Sequence, residues 1–182
     1  MKLKNLIVVA LLLAIGTVLH AVFPGLIFGM KSDLSLVMLF LALYFFADIK
    51  TFIVIGLVDG ILAGLTTSLP GGFIPNVVDK LVTSTIVFFA FYLFARYFQA
   101  KGKYAFGVIL AGLGTVISGT IFLTVAILVA GLPAKVFGPL FVTMVLPTAL
   151  VNLILLAILY PIIVKIGERS GFIHVAPKPS IH

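Results

Sequence analysis

Six long apolar runs, separated by short polar breaks, carry most of the chain. They extend from Leu6 to Phe23, Leu34 to Ala47, Thr51 to Leu69, Asn76 to Phe98, Tyr104 to Ala130 and Leu140 to Val164. Most approach the ~20 residues that a helix needs to cross the hydrocarbon core. The second run is short for a full crossing. The alternating ten-residue pattern of a membrane barrel strand is absent. The pattern predicts an all-α integral membrane protein of six transmembrane helices, forming a single transmembrane domain over residues 1–182. Pro24-Gly25 ends the first helix, Asp48-Ile-Lys50 makes a tight turn, and Pro70-Gly71-Gly72 is a turn before the fourth helix. The first run is long, and a bulky Leu19 stands two before Ala21. It therefore reads as a retained helix and not a cleaved signal peptide.

Composition sharpens this picture. Of the 182 residues, 63% are hydrophobic and only 9% are charged, against about 25% charged in soluble domains. The absence of cysteine excludes a disulfide, a thiolate metal site and a cysteine nucleophile. The net charge of +7 is unevenly placed. Lys2, Lys4, Lys50, Arg96, Lys101, Lys103, Lys165, Arg169 and Lys178 fall on the side of the termini. Only Lys31, Lys80 and Lys135 fall on the other. Cationic loops face the cytoplasm, so both termini are expected there, in a bacterial-type plasma membrane. The basic charge then has a use without nucleic acid as a partner.

The densest polar chemistry lies between Pro70 and Thr83. On a helix, relative to Asn76, Asp79 falls at about −60°, Thr83 at about −20° and Lys80 at about +40°. One face therefore presents an amide, a carboxylate, an ammonium and a hydroxyl, a set able to grip a zwitterion. Pro75 suits the first helical position. Lys31 and Asp33 form a second opposite-charge pair in the first link, where Asp33 or Ser32 would cap the second helix. Lys31, Asp33, Asn76, Asp79 and Lys80 all fall on the outer side in this topology.

Other features are single residues or stripes. Gly56, Gly60 and Gly64 make two overlapping GxxxG patterns, which call for a closely packed neighbour. Asp59 lies mid-helix, where a carboxylate is a functional candidate by default. Ala10, Ala14, Thr17 and Ala21 form a small-residue stripe on the first helix. Thr115, Ser118, Thr120 and Thr124 are expected to bond their own backbone. Asn152 must face the bundle or a cavity, and His20 reads as a helix-end residue. The sequence lacks a Walker A motif, a HExxH pair and a carboxylate cluster suited to a metal. An enzyme is not expected, nor a metal or cofactor.

Three stretches together resemble the substrate-binding (S) components of energy-coupling-factor (ECF) transporters, most closely the tryptophan-specific family. They are Gly29-Met-Lys-Ser-Asp33, Pro70-Gly-Gly-Phe-Ile-Pro-Asn-Val-Val-Asp-Lys80 and Pro147-Thr-Ala-Leu-Val-Asn152. The resemblance implies an S-component-like bundle that binds L-tryptophan from outside with high affinity. It also implies partners, a membrane-embedded coupling protein and two cytosolic ATPases, besides the lipid bilayer. Ala10 and Ala14 match the helix-one pattern that contacts the coupling protein. The link from Phe23 to Asp33 is expected to act as a lid. Against tryptophan's chemistry, the carboxylate wants Lys80 or Lys31, and the ammonium wants Asp79 or Asp33. The indole N–H wants Asn76 or Asn152, and Phe73 is one aromatic candidate for the ring. The pair on the helix start, Asp79 and Lys80, is preferred as the more rigid. The lack of Trp in the chain suits a protein made when tryptophan is scarce. Three rivals stay open: an S component for another nutrient such as a vitamin, a stand-alone secondary transporter using Asp59, and a non-transporting membrane scaffold that binds no small molecule.

Overall fold

The computed structural model describes Leu3–Val22 and residues 33–171. Among these the chain is helical throughout, with six rods and no strand. They are α1 (Leu3–Val22), α2 (Ser35–Phe45), α3 (Phe52–Leu65), α4 (Phe73–Phe94), α5 (Ala100–Val129) and α6 (Ala134–Arg169). A 3₁₀ turn, Ala95–Tyr97, follows α4. Four rods are long and apolar enough to cross a membrane: α1, α4 with its 3₁₀ turn, α5 and α6. α2 and α3 are shorter apolar helices, about 16 Å and 21 Å long at 1.5 Å per residue.

The short α2 is the centre of the bundle. Every residue from Ser35 to Tyr44 is buried. A helix that is apolar all round can be stable only when covered on all sides, and α1, α3, α4, α5 and α6 supply that cover. α3 packs on α4, α4 on α5 and α5 on α6. The glycine stripe of α3 explains the first of these pairings. A Cβ at Gly56 would lie 2.8 Å from Ser84 Cβ, one at Gly60 3.0 Å from Val77 Cα, and one at Gly64 2.7 Å from the Phe73 ring. Only hydrogen at these positions lets the two backbones approach so closely.

Several boundaries differ from the sequence expectation. α4 begins at Phe73, so Pro75 is its third residue and not its first. Its missing N–H still costs nothing, because the first four amides of a helix have no partner inside it. The expected link from Gly131 to Pro139 is mostly helical. α6 starts at Ala134 with a 3₁₀ turn that contains Lys135. It also carries a π-helical turn, Phe141–Val145, which ends two residues before Pro147. A proline ring clashes with the carbonyl four residues back and offers no N–H. Widening the turn there relieves both problems. The Asp48 turn is as expected: Thr51 N–H bonds the Asp48 carbonyl at 3.0 Å and Thr51 Oγ1 bonds its carboxylate at 2.9 Å.

Candidate functional site

The site is built outward from the first turns of α4. Gly71 adopts φ +74°, a left-handed conformation that glycine reaches without strain, and it turns the chain into the helix. Asn76 Nδ2 donates to the Gly72 carbonyl at 2.7 Å, which fastens that first turn. The helical period then carries Asn76, Asp79, Lys80 and Thr83 along one buried face.

Lys80 is 0% exposed. Its Nζ donates to Asp79 Oδ2 at 2.8 Å and to the Asp33 carboxylate. Asp79 Oδ2 also accepts the Ser118 hydroxyl at 2.8 Å, and its Oδ1 accepts the Thr83 hydroxyl at 2.9 Å. Asp33 lies two residues before α2 and bonds the Ser35 N–H at 3.2 Å and the Ser35 hydroxyl at 2.6 Å. His20 Nδ1, at the end of α1, stands 3.6 Å from Asp33 Oδ1. Burial alone would raise the Asp33 pKa. The Lys80 ammonium, His20 and Ser35 outweigh it and hold the group well below the usual carboxylate range. Asn152 on α6 completes the ring, donating from Nδ2 to the Asp33 carbonyl at 3.0 Å and to Thr115 Oγ1 at 3.1 Å. Buried charges are stable only when paired and hydrogen-bonded, and this network meets that condition by drawing on α1, α4, α5, α6 and the entry to α2.

A cavity opens beside the network, with about 680 Å³ of space including its open mouth. Asp33, Asp79, His20, Asn76, Thr115, Ser118 and Thr148 form its polar walls. Leu36, Leu69, Phe122, Leu123, Met144 and Val145 form its apolar walls. The π turn of α6 supplies Met144 and Val145. Val145 lies against Gly119, where a Cβ would meet its methyls at 2.6 Å. A lining that combines charged and polar groups with apolar and aromatic ones suits a small amphipathic ligand.

Residues 2–167 match the model of a family described as "Tryptophan transporter TrpP". The chain belongs to the TrpP tryptophan transporter family. A "Probable tryptophan transport protein" of Bacillus subtilis (strain 168) is 42% identical over 176 residues, covering 97% of this chain and 99% of the relative. One of the same description from Clostridium acetobutylicum is 42% identical over 173 residues, covering 94% and 98%. Another from Clostridium perfringens is 37% identical over 176 residues, covering 93% and 96%. No solved structure matches. TrpP membership thus extends over nearly the whole chain, cavity and ion network included.

The structure redistributes the residues expected from sequence. It brings Asp33, Asn76, Asp79, Lys80, Thr83 and Asn152 together. Only Asp33, Asn76 and Asp79 of these reach the cavity wall, while Lys80, Thr83 and Asn152 stand behind it. Phe73 is not a wall: it is 43% exposed and packs on Gly64. Among the described residues, Phe122 is the phenylalanine that lines the cavity. Lys31 and the lid up to Ser32 lie outside the described residues. His20 is a buried cavity wall and not a plain helix end. Thr115, Thr120 and Thr124 bond their own helix as expected, but Ser118 reaches across to Asp79. Asp59 is 1% exposed, and neither carboxylate oxygen has a hydrogen-bond partner among the described residues. Ala10 and Ala14 face outward from the bundle.

Proposed function

We propose that this chain binds L-tryptophan with high affinity from outside the cell, as the S component of an ECF transporter in the cell membrane. The single observation that carries this reading is a cavity lined both by the charged groups Asp33 and Asp79 and by Phe122, in a chain of the TrpP family. The cavity lies among the end of α1, the entry to α2, the start of α4 and the far half of α5. Lys4, Lys50, Arg96, Lys101, Lys103, Lys165 and Arg169 occupy the opposite helix ends and the turns that join them. That asymmetry supports cytoplasmic termini and an outward-facing cavity. The outward Ala10 and Ala14 support α1 as the face for a membrane-embedded coupling protein, driven by two cytosolic ATPases.

Uptake into liposomes tests the partners. Tryptophan should enter only when the coupling protein and ATPases are present and ATP is supplied. Asp59, buried with no hydrogen bond to its carboxylate among the described residues, favours one second reading, a stand-alone transporter with a proton or cation site there. Uptake without ATPases that is lost in Asp59→Asn would establish the second reading and overturn the first.

A further inference from the structure

The cavity presents two carboxylates, Asp33 and Asp79, but among the described residues no lysine or arginine forms its wall. A free amino acid brings a carboxylate as well as an ammonium. Among the described lysines and arginines, the one bonded to the cavity's carboxylates is Lys80, which Asp33 covers. The three charged groups differ in how firmly they are held. Lys80 and Asp79 are side chains of α4, 0% and 2% exposed. Asp79 takes three donors, from Thr83, Lys80 and Ser118. Asp33 stands before α2 with its side chain 20% exposed, and it has His20 and Ser35 beside it. It is the one member of the chain of charges that can give way without stranding another, because Lys80 keeps Asp79.

We infer that the ligand is a zwitterionic α-amino acid that inserts into the Asp33–Lys80 ion pair. This deepens the tryptophan reading and rests on it. The ligand carboxylate takes the place of the Asp33 carboxylate on Lys80 Nζ, and the ligand ammonium takes the released Asp33 carboxylate. Charges then alternate along Asp79, Lys80, ligand carboxylate, ligand ammonium and Asp33, so no buried charge loses its partner. Asp33 holds the place on Lys80 Nζ that the ligand's own carboxylate takes. A ligand with one charge breaks the alternation. An acid without an amine displaces Asp33 and leaves it uncompensated by the ligand. An amine without an acid adds a cation beside Lys80 and cannot replace Asp33 on it.

The test uses the full chain in detergent, titrated with L-tryptophan, tryptamine and indole-3-propionate. The protein has no Trp, so indole emission reports the ligand. Losing one partner of a buried charge pair costs enough to weaken binding by about a hundredfold, and both single-charge analogues should lose that much. In Asp33→Asn, tryptophan should weaken by a similar factor, and its advantage over indole-3-propionate should shrink to under about tenfold. A merely structural Asp33 would weaken both ligands alike. Tryptamine binding as tightly as tryptophan to the unaltered protein overturns the insertion and leaves tryptophan as ligand. The unaltered protein supplies this result even if the variant fails to fold. If none of the three ligands binds, the tryptophan reading falls and the insertion with it.

Discussion

The two halves of α4 face different worlds. Its first half carries Asn76, Asp79, Lys80 and Thr83 into a charged network beside an open cavity. Its second half carries Val87, Phe88 and Phe91 into a closed aromatic core. There Tyr44 stacks on Phe91 with ring centroids 4.1 Å apart, and Phe52 stacks on Phe88 at 4.6 Å. The Tyr44 hydroxyl donates to the Gly107 carbonyl at 3.2 Å, so even this polar atom is satisfied. One half spends its contacts on packing and the other keeps space and charge. The closed half fixes helix positions, and the open half can hold an ordered ring of charges around a cavity.

The largest effect should come from breaking the charged half. Lys80→Met leaves Asp33 and Asp79 without their shared cation and should destabilise the fold by about 3–5 kcal/mol. Thermal unfolding in detergent, followed by size-exclusion, measures this. Next is the seam between α3 and α4. Gly56→Ala forces its new methyl toward Ser84 Cβ and the Lys80 carbonyl, 2.8 Å and 3.1 Å away, and should cost about 1–3 kcal/mol by overpacking, read in the same assay. Phe122→Ala removes the cavity's aromatic wall and should weaken tryptophan about tenfold with the fold intact. The smallest effect sharpens the contrast. Phe73→Ala should leave tryptophan affinity within about twofold, because that ring packs on Gly64 outside the cavity. Equilibrium titration of the two Phe variants side by side settles which aromatic residue faces the ligand.

The sequence made the faces of this fold readable but not the pairs between them. Helical period alone put Asn76, Asp79, Lys80 and Thr83 on one side, and the Gly56, Gly60 and Gly64 spacing foretold a close neighbour. Neither could say that Ser118 would reach Asp79, or that Asp33 would reach Lys80 across 47 positions. Such contacts depend on how rods rotate against one another, which periodicity leaves free. Phe122 was indistinguishable by pattern from the other 16 Phe residues. Its neighbourhood held a signal nonetheless, because Ser118-Gly119-Thr120 marks a small, polar opening on an apolar helix. The π turn also had a visible cause in Pro147, but the contact it makes with Gly119 through Val145 did not. Asp59 was legible as unusual from its mid-helix position. That its oxygens go without hydrogen bonds among the described residues was legible only in three dimensions.

Tryptophan binding by the open half is open to direct measurement. The most direct test is to titrate the purified protein with L-tryptophan and read indole emission, with excess leucine as competitor. Binding in the open half should give a saturable blue shift at one ligand per chain that leucine does not reverse. Emission that stays at the wavelength of free tryptophan, with no ligand retained, would contradict it.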